Sequence, residues 1–224
     1  AEKALAGRFR PNQAAYVPDN DACERDVFAL ETASYPAGRP RPVVIGAGPA
    51  GLFCALGLAV RGARPVVLER GKPVEARAHD IDALETHGTL DPESNVLFGE
   101  GGAGAYSDGK LTCGLSDPLI RTVLRTLAAC GAPADILVSA RPHIGTDLLR
   151  GVLMEIRKRL TALGAEFLFE HKAAGLAVEG GRVTGVRAEG PGGAPLRLET
   201  DAVYLAVGHS ARDTYAWLAA LGVA

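Results

Sequence analysis

The feature that most restricts the fold of this chain is the glycine pattern GAGPAG, which directly follows the apolar run VVI. Gly46, Gly48 and Gly51 have the G-x-G-x-x-G spacing. The first glycine allows a tight turn, the second lets a pyrophosphate approach the backbone, and the third lets a helix pack closely on a strand. Pro49 lies where a helix loses least by lacking an N–H. The pattern therefore predicts a strand, a phosphate-binding turn and a helix whose N-terminus faces the phosphates.

A second apolar strand, expected over Pro65–Glu69, ends in a carboxylate about 20 residues after the turn. At this place a carboxylate accepts hydrogen bonds from both hydroxyls of an adenosine ribose, and its charge repels a 2′-phosphate. The order strand, helix, strand and acid predicts a dinucleotide-binding βαβ unit. The alternative is a glycine turn with a purely structural role.

From Val43 onward, apolar β-runs alternate with helical patterns, which predicts an α/β fold with a parallel central sheet and helices. Gly180-Gly181 and the PGG turn separate short strands and predict an antiparallel β-meander. Residues 1–42 are punctuated by proline and arginine, so we expect a lead-in or the remnant of a preceding domain, and a domain over 43–224. Ala1 in place of Met and the apolar last residues lead us to expect truncation at both ends.

Composition restricts the partners. Lys plus Arg is 24 and Asp plus Glu is 26, so the net charge of −2 gives no general reason to expect nucleic acid or an anionic membrane as partner. The apolar run around Phe53–Val60 is too short to span a bilayer, and we expect a cytoplasmic protein without membrane partners. The four cysteines lie far apart with no histidine at ligand spacing, so no metal site is predicted.

The order of the predicted elements, with a meander followed by a strand ending in Ala206-Val207-Gly208, resembles FAD-dependent oxidoreductases of the glutathione-reductase-like class. Three segments, LDPESNVLFGEGGAGAYSDGKL, RPHIGTDLLRGV and AVYLAVGHSARDTY, look like a family of poorly characterised bacterial FAD-dependent dehydrogenases. The resemblance covers about Val43 to Ala224, and family members are much longer. It implies a Rossmann-like FAD/NAD(P)-binding domain with FAD as cofactor.

The resemblance also implies roles for residues around the flavin. The glycines of FGEGGAGAYSDGKL would let the backbone lie along the ribityl chain and the pyrophosphate and donate N–H groups. Ser107 and Asp108 would bond ribityl hydroxyls, and Lys110 would be a cation near the pyrophosphate or the flavin. The alternative is a mobile lid with a solvated lysine. The predicted cofactor-binding residues are Gly46, Ala47, Gly48, Pro49, Ala50, Gly51, Glu69, Arg70, Gly101, Gly102, Gly104, Ser107, Asp108, Gly109, Lys110, Ala173, Val207, Gly208 and His209.

The function expected from these residues is that of a flavoprotein oxidoreductase moving hydride or electrons between a small-molecule substrate and an acceptor. No catalytic residue is predicted, and the absence of a closely spaced cysteine pair excludes a disulfide reductase. Three alternatives stay open: a reductase that also binds NAD(P)H, a flavoprotein acting in tRNA modification, and a noncatalytic FAD-binding module.

Overall fold

The computed structural model describes residues 27–29, 35–106, 109–111 and 117–223. Its helices are α1 (Pro49–Ala59), α2 (Val74–His87), α3 (Leu119–Ala129), α4 (Thr146–Ala162) and α5 (Arg212–Ala220). Its strands are β1 (Val43–Ile45), β2 (Val66–Leu68), β3 (Glu166–Leu168), β4 (Lys172–Glu179), β5 (Arg182–Glu189), β6 (Pro195–Glu199) and β7 (Val203–Leu205). Short 3₁₀ helices span Gly102–Tyr106, Ala134–Leu137 and Pro191–Gly193.

The central sheet is parallel and has the strand order β3-β2-β1-β7. Its inner strands β1 and β2 are buried along their whole length, which explains why both read as continuous apolar runs rather than as alternating ones. β4, β5 and β6 form a separate antiparallel sheet, with the Gly180-Gly181 turn between its first two strands. The predicted fold class is therefore confirmed, including the meander.

The alternation of side chains along β1 separates two apolar layers. Val44 belongs to the cluster formed with helices α1 and α4, including Leu52 and Ile156. Val43 and Ile45 point to the other face, where they pack against the meander. Each face of the parallel sheet is thus covered, and the open edge that remains for a ligand lies at the carboxyl ends of the strands.

The segment before β1 is part of this packing. Phe28 is buried in the same cluster as Val44 and Leu52, and the guanidinium of Arg159 lies 5.0 Å from its ring centroid. Arg41 donates to a carboxylate oxygen of Glu166 at 2.6 Å and reaches three further carbonyl oxygens at the amino end of the sheet. Residues that we expected to be a lead-in therefore contribute to the core, because Phe28 covers apolar surface that the helices leave open.

Within the described ranges, no helix has both the length and the apolar character needed to cross a membrane.

Candidate functional site

The glycine turn after β1 has the geometry that its spacing predicts. Gly46 has φ +105, and a Cβ added there would lie 2.4 Å from the carbonyl oxygen of Ala206 on the neighbouring chain segment. A Cβ added at Gly51 would lie 1.8 Å from the carbonyl oxygen of Gly46, so helix α1 approaches the turn as closely as backbone allows. At Gly48 the nearest atom to an added Cβ is 3.9 Å away, in Gly102. Of the three glycines, only Gly48 has free space in the direction that a side chain would take.

The first turn of α1 offers hydrogen-bond donors to this open space. α1 begins at Pro49, which has no N–H, and the amides of Ala50 and Gly51 lie where a helix has no internal acceptor. No acidic side chain stands in this turn to compete for them. The helix N-terminus therefore presents partial positive charge to the side where Gly48 leaves room, which suits a phosphate group.

Glu69 follows β2 and is almost fully buried. Its Oε2 accepts a hydrogen bond from the amide of Ala47 at 2.8 Å, and its Oε1 accepts from the amides of Gly71 and Gly99 at 2.9 and 3.0 Å. Two carboxylate oxygens have about four acceptor positions, so about one is left for a ligand. Glu69 thus joins the glycine turn, the exit of β2 and the glycine-rich segment, a role that its position in the sequence does not reveal.

The glycine-rich segment packs against the glycine turn, but its amides are used differently from our expectation. The amide of Gly101 donates to the carbonyl of Ala47 at 2.9 Å, and that of Gly102 donates to Gly99 at 3.0 Å. An added Cβ at Gly101 would meet Leu153 at 2.4 Å, so this glycine faces the core. The N–H groups of Gly101 and Gly102, which we expected to donate to the cofactor, therefore already donate within the protein. The segment brings its backbone close to the glycine turn but offers no free amide at these two positions.

Behind this segment lies Arg77 of α2, which has no exposed surface. Its guanidinium donates to four main-chain carbonyls, those of Asn95, Val96, Glu100 and Gly102, at 2.7 to 2.8 Å. The sequence does not reveal this role of Arg77, because nothing in a helical pattern distinguishes a buried arginine from a surface one.

Glu100 is the second buried charge-bearing group beside the segment. Its Oε2 accepts from the amide of Val74 at 2.8 Å and from Nη1 of Arg157 at 2.9 Å, whereas its Oε1 is buried without a hydrogen-bond partner. Burial raises the pKa of Glu100 to about 7, although the Val74 amide and Arg157 favour the carboxylate. This carboxyl group therefore titrates near neutral pH on a loop that lines the site.

Around Arg70, ion pairs join four parts of the chain. Arg70 stacks on the Phe98 ring at 4.6 Å and pairs with Asp213 of α5, while Lys172 pairs with Glu93 and with Asp213 at 2.8 and 3.1 Å. Partial burial would raise the pKa of Asp213, but the hydrogen bonds from Arg70 and Lys172 outweigh it and lower the pKa to about 2. Arg70, one of the predicted cofactor-binding residues, is thus held in place by Asp213 and Phe98.

A cleft of about 400 Å³ lies at the carboxyl edge of the parallel sheet, and its lining includes the glycine turn, Glu69, Arg70 and the turn after β7. It brings together eleven of the predicted residues: Gly46, Gly48, Pro49, Ala50, Glu69, Arg70, Gly102, Ala173, Val207, Gly208 and His209. Its lining also includes residues that the sequence did not suggest as site members, among them Phe98, Ala103, His171, Thr214, Tyr215 and Leu218. The last three lie on α5, the helix that follows the strand ending in Ala206-Val207-Gly208, and this position is the sequence signal that could have indicated them.

The other predicted residues lie elsewhere. Ala47, Gly51 and Gly101 stand behind the cleft wall, and Gly104 is exposed on the 3₁₀ helix Gly102–Tyr106. Gly109 has φ +73 and packs against Ile144, whose carbonyl an added Cβ would meet at 1.7 Å. Ser107 and Asp108 lie outside the described residues, and so does Cys113.

Lys110 is exposed, forms an isolated antiparallel bridge with His143 and is not among the residues that line the cleft. Its predicted role as a cation near the pyrophosphate or the flavin stays a prediction. Tyr215 donates from its hydroxyl to the carbonyl of Gly208 at 2.7 Å, and Nε2 of His209 lies 3.2 Å from the Ser210 hydroxyl. In the part of the chain that the structure describes, no group of side chains has the makeup of a metal site.

Comparisons with known proteins agree with this geometry. Residues 41–79 match the family described as FAD binding domain, FAD_binding_2. An uncharacterized protein of Clostridium beijerinckii is 44% identical over 180 residues, which are 80% of this chain and 33% of that protein. The chain therefore spans about a third of the length of this relative.

Among solved structures, that of THI4 from Thermovibrio ammonificans has a TM-score of 0.53 and 18% identity, over 83% of this chain and 64% of that one. A glycerol-3-phosphate dehydrogenase from Bacillus halodurans, complexed with FAD, has a TM-score of 0.47 and 16% identity, over 76% of this chain and 34% of that one. The first likeness shows the fold. The family match covers β1, the glycine turn, Glu69 and the start of α2, and it indicates FAD as the cofactor.

Proposed function

We propose that this chain is the FAD-binding part of an oxidoreductase that moves hydride or electrons between a small-molecule substrate and a separate acceptor. The observation that carries the proposal is the open space beside Gly48, in the direction that a side chain would take. Gly48 lines the cleft at the N-terminus of α1, and it belongs to residues 41–79, which match an FAD-binding family. When bound, FAD supplies the hydride- and electron-transfer chemistry.

The residues of this chain bind and orient the cofactor in our proposal. The amide of Ala50, which lines the cleft, receives the pyrophosphate, because it lacks a helical acceptor and lies at the positive end of α1. The remaining acceptor position of Glu69 receives a ribose hydroxyl. Ala173 borders the adenine, and the turn at Val207 to His209 closes the cleft from the β7 side.

The glycine-rich segment has a different task in this arrangement. Gly102 lies against the glycine turn, where an added Cβ would be 3.4 Å from Pro49 Cδ and 3.5 Å from Gly48 Cα. We propose that this close backbone contact excludes water from one side of the pyrophosphate. Lys110 stays a candidate for the flavin only if the cofactor extends beyond the cleft lining described above.

The test is an absorption spectrum after incubation with FAD and removal of free cofactor. Gly48→Val should abolish the flavin bands, because its side chain would stand in the pyrophosphate path, whereas its Cβ would stay 3.9 Å from the nearest protein atom. Gly151→Val is the matched control: Gly151 is exposed on α4 with nothing within 4 Å of an added Cβ, and this variant should retain flavin. A colourless wild-type protein that binds NADH in calorimetry would overturn the proposal.

We also propose that the substrate is a small molecule, that a separate acceptor takes the electrons, and that the protein is cytoplasmic. A noncatalytic FAD module and a flavoprotein acting on tRNA share the same cleft, and turnover separates them from an oxidoreductase. Reduction of the bound flavin by a small-molecule donor, followed by reoxidation by an acceptor, supports our proposal. Binding of tRNA with comparable affinity to that of FAD would favour the tRNA alternative.

A further inference from the structure

We propose that Arg77 is the positioning residue that fixes one wall of the cofactor cleft, the segment of residues 95–102. The inference rests on the proposed function to the extent that this cleft binds FAD. Arg77 does not itself line the cleft, so it acts through the segment rather than by touching the cofactor.

The side-chain hydrogen bonds of Arg77 all go to main-chain carbonyls of this segment. Nε donates to the carbonyl of Asn95 at 2.7 Å, and Nη2 donates to that of Val96 at 2.8 Å. Nη1 donates to the carbonyls of Glu100 and Gly102 at 2.7 and 2.8 Å. The four acceptors thus span the segment from end to end, and one side chain sets their relative positions.

An arginine suits this task because the segment has no regular secondary structure of its own. Apart from Gly102, which starts a 3₁₀ helix, the residues from Asn95 to Gly102 lie in bends and turns, so strand or helix hydrogen bonds do not satisfy these carbonyls. A guanidinium carries five N–H donors in a rigid plane, whereas a lysine has three donors at a single point. Arg77 therefore takes the place that a sheet neighbour would have.

The backbone of the segment also follows the aliphatic part of Arg77. Gly99 has φ +116, and an added Cβ would lie 2.5 Å from Cδ of Arg77. The Tyr106 ring covers the guanidinium at 4.8 Å. One side of the segment is shaped by the arginine, and Phe98, Gly99 and Gly102 present the other side to the cleft.

Charge balance keeps the arginine in this buried place. Burial lowers the pKa of Arg77, but an arginine starts so far above neutral pH that the side chain stays charged. The nearby Tyr106, Glu69, Glu100 and Asp80 side chains act against this lowering and favour the charged form.

The test compares Arg77→Met and Arg77→Lys with the control Arg41→Met. Arg41 also makes four side-chain hydrogen bonds, but at the amino end of the sheet, away from the cleft. Two quantities are measured: amide hydrogen exchange of residues 95–102 without FAD, and the dissociation constant for FAD. Arg77→Met should raise the exchange rates and the dissociation constant by at least about tenfold, since buried carbonyls lose their donors.

Arg77→Lys should lie between Arg77→Met and the wild type, and Arg41→Met should change both quantities by less than about twofold. The inference is overturned if Arg77→Met matches the wild type in both, or if Arg41→Met weakens FAD binding equally. If circular dichroism shows Arg77→Met to be unfolded, Arg77→Lys decides by the same criteria. Faster exchange in a protein whose wild type binds no FAD would refute the proposed function but retain the role of Arg77 in holding the segment.

Discussion

Nη1 of Arg157 lies 2.9 Å from Oε2 of Glu100, a carboxyl group with no exposed surface, and Nη2 of the same arginine lies 2.7 Å from Glu75. Helix α4 is thereby connected to the cleft segment and to the first turn of α2. Removing one partner of such a buried pair leaves a group that water cannot reach. Glu100 is therefore the group through which pH should act on this part of the fold.

The first prediction concerns the pH dependence of stability. The pKa of Glu100 is raised from 4.5 to about 7 in the folded protein, mainly by burial. Between these two values the unfolded chain has released the proton that the folded chain retains, so the free energy of unfolding should fall as pH rises. The loss is at most on the order of 3 kcal/mol.

Urea denaturation across this pH window measures the effect. Glu100→Gln keeps a neutral side chain of the same shape, and its free energy of unfolding should show a flatter pH profile than that of the wild type. Glu75→Gln is the control, because it removes the other carboxylate at Arg157 and leaves Glu100 in place. Equal pH profiles in wild type and Glu100→Gln would contradict the assignment.

The second prediction concerns acid and Asp213. Its pKa is lowered to about 2, so the stability that it contributes is present above its ordinary value of 3.8 and is lost as pH falls toward 2. Because the side chain is 39% exposed, the contribution should stay below about 1 kcal/mol. Asp213→Asn should therefore be slightly less stable than wild type near neutral pH. The difference should shrink in acid, and a constant difference would show that charge pairing is not its cause.

The third prediction concerns the close approach of α1 to the glycine turn. Gly51→Ala places a Cβ 1.8 Å from a backbone oxygen that cannot move without breaking the turn. We expect it to destabilise the fold by about 3 kcal/mol or more. Gly151→Ala, in open space on α4, should instead stabilise by about 0.5 to 1 kcal/mol. Thermal or urea unfolding compares the two, and a Gly51→Ala protein as stable as wild type would refute the packing argument.

The sequence predicts the parts of the site that depend on local backbone geometry. The spacing of Gly46, Gly48 and Gly51 determines a turn, a strand and a helix start within a few residues, and the structure has all three. The position of Glu69 after an apolar strand also follows from local order. The strand pairing of both sheets could be predicted for the same reason, since strands separated by helices pair in parallel and strands separated by glycine turns pair antiparallel.

Contacts between distant parts of the chain could not be predicted in this way. Glu100 and Arg157 are 57 residues apart, and either would be read as a solvated charge in isolation. Lys110 follows the glycine-rich run in sequence, and its bridge to His143 is another contact between distant parts of the chain. For such residues, side-chain burial is decided by tertiary packing, which neither spacing nor periodicity encodes.

The last prediction concerns the boundary of the domain. Phe28 is only 8% exposed and fills the helix side of the core, so Phe28→Ala should leave a cavity and lower the free energy of unfolding by about 3 to 5 kcal/mol. Arg159→Met removes the cation that stacks on the ring and its surface ion pair with Glu155, and should cost less than about 1 kcal/mol. Urea unfolding of both variants measures the difference. A small loss for Phe28→Ala would place the start of the folding unit at β1, whereas the expected loss makes residues before position 43 part of it.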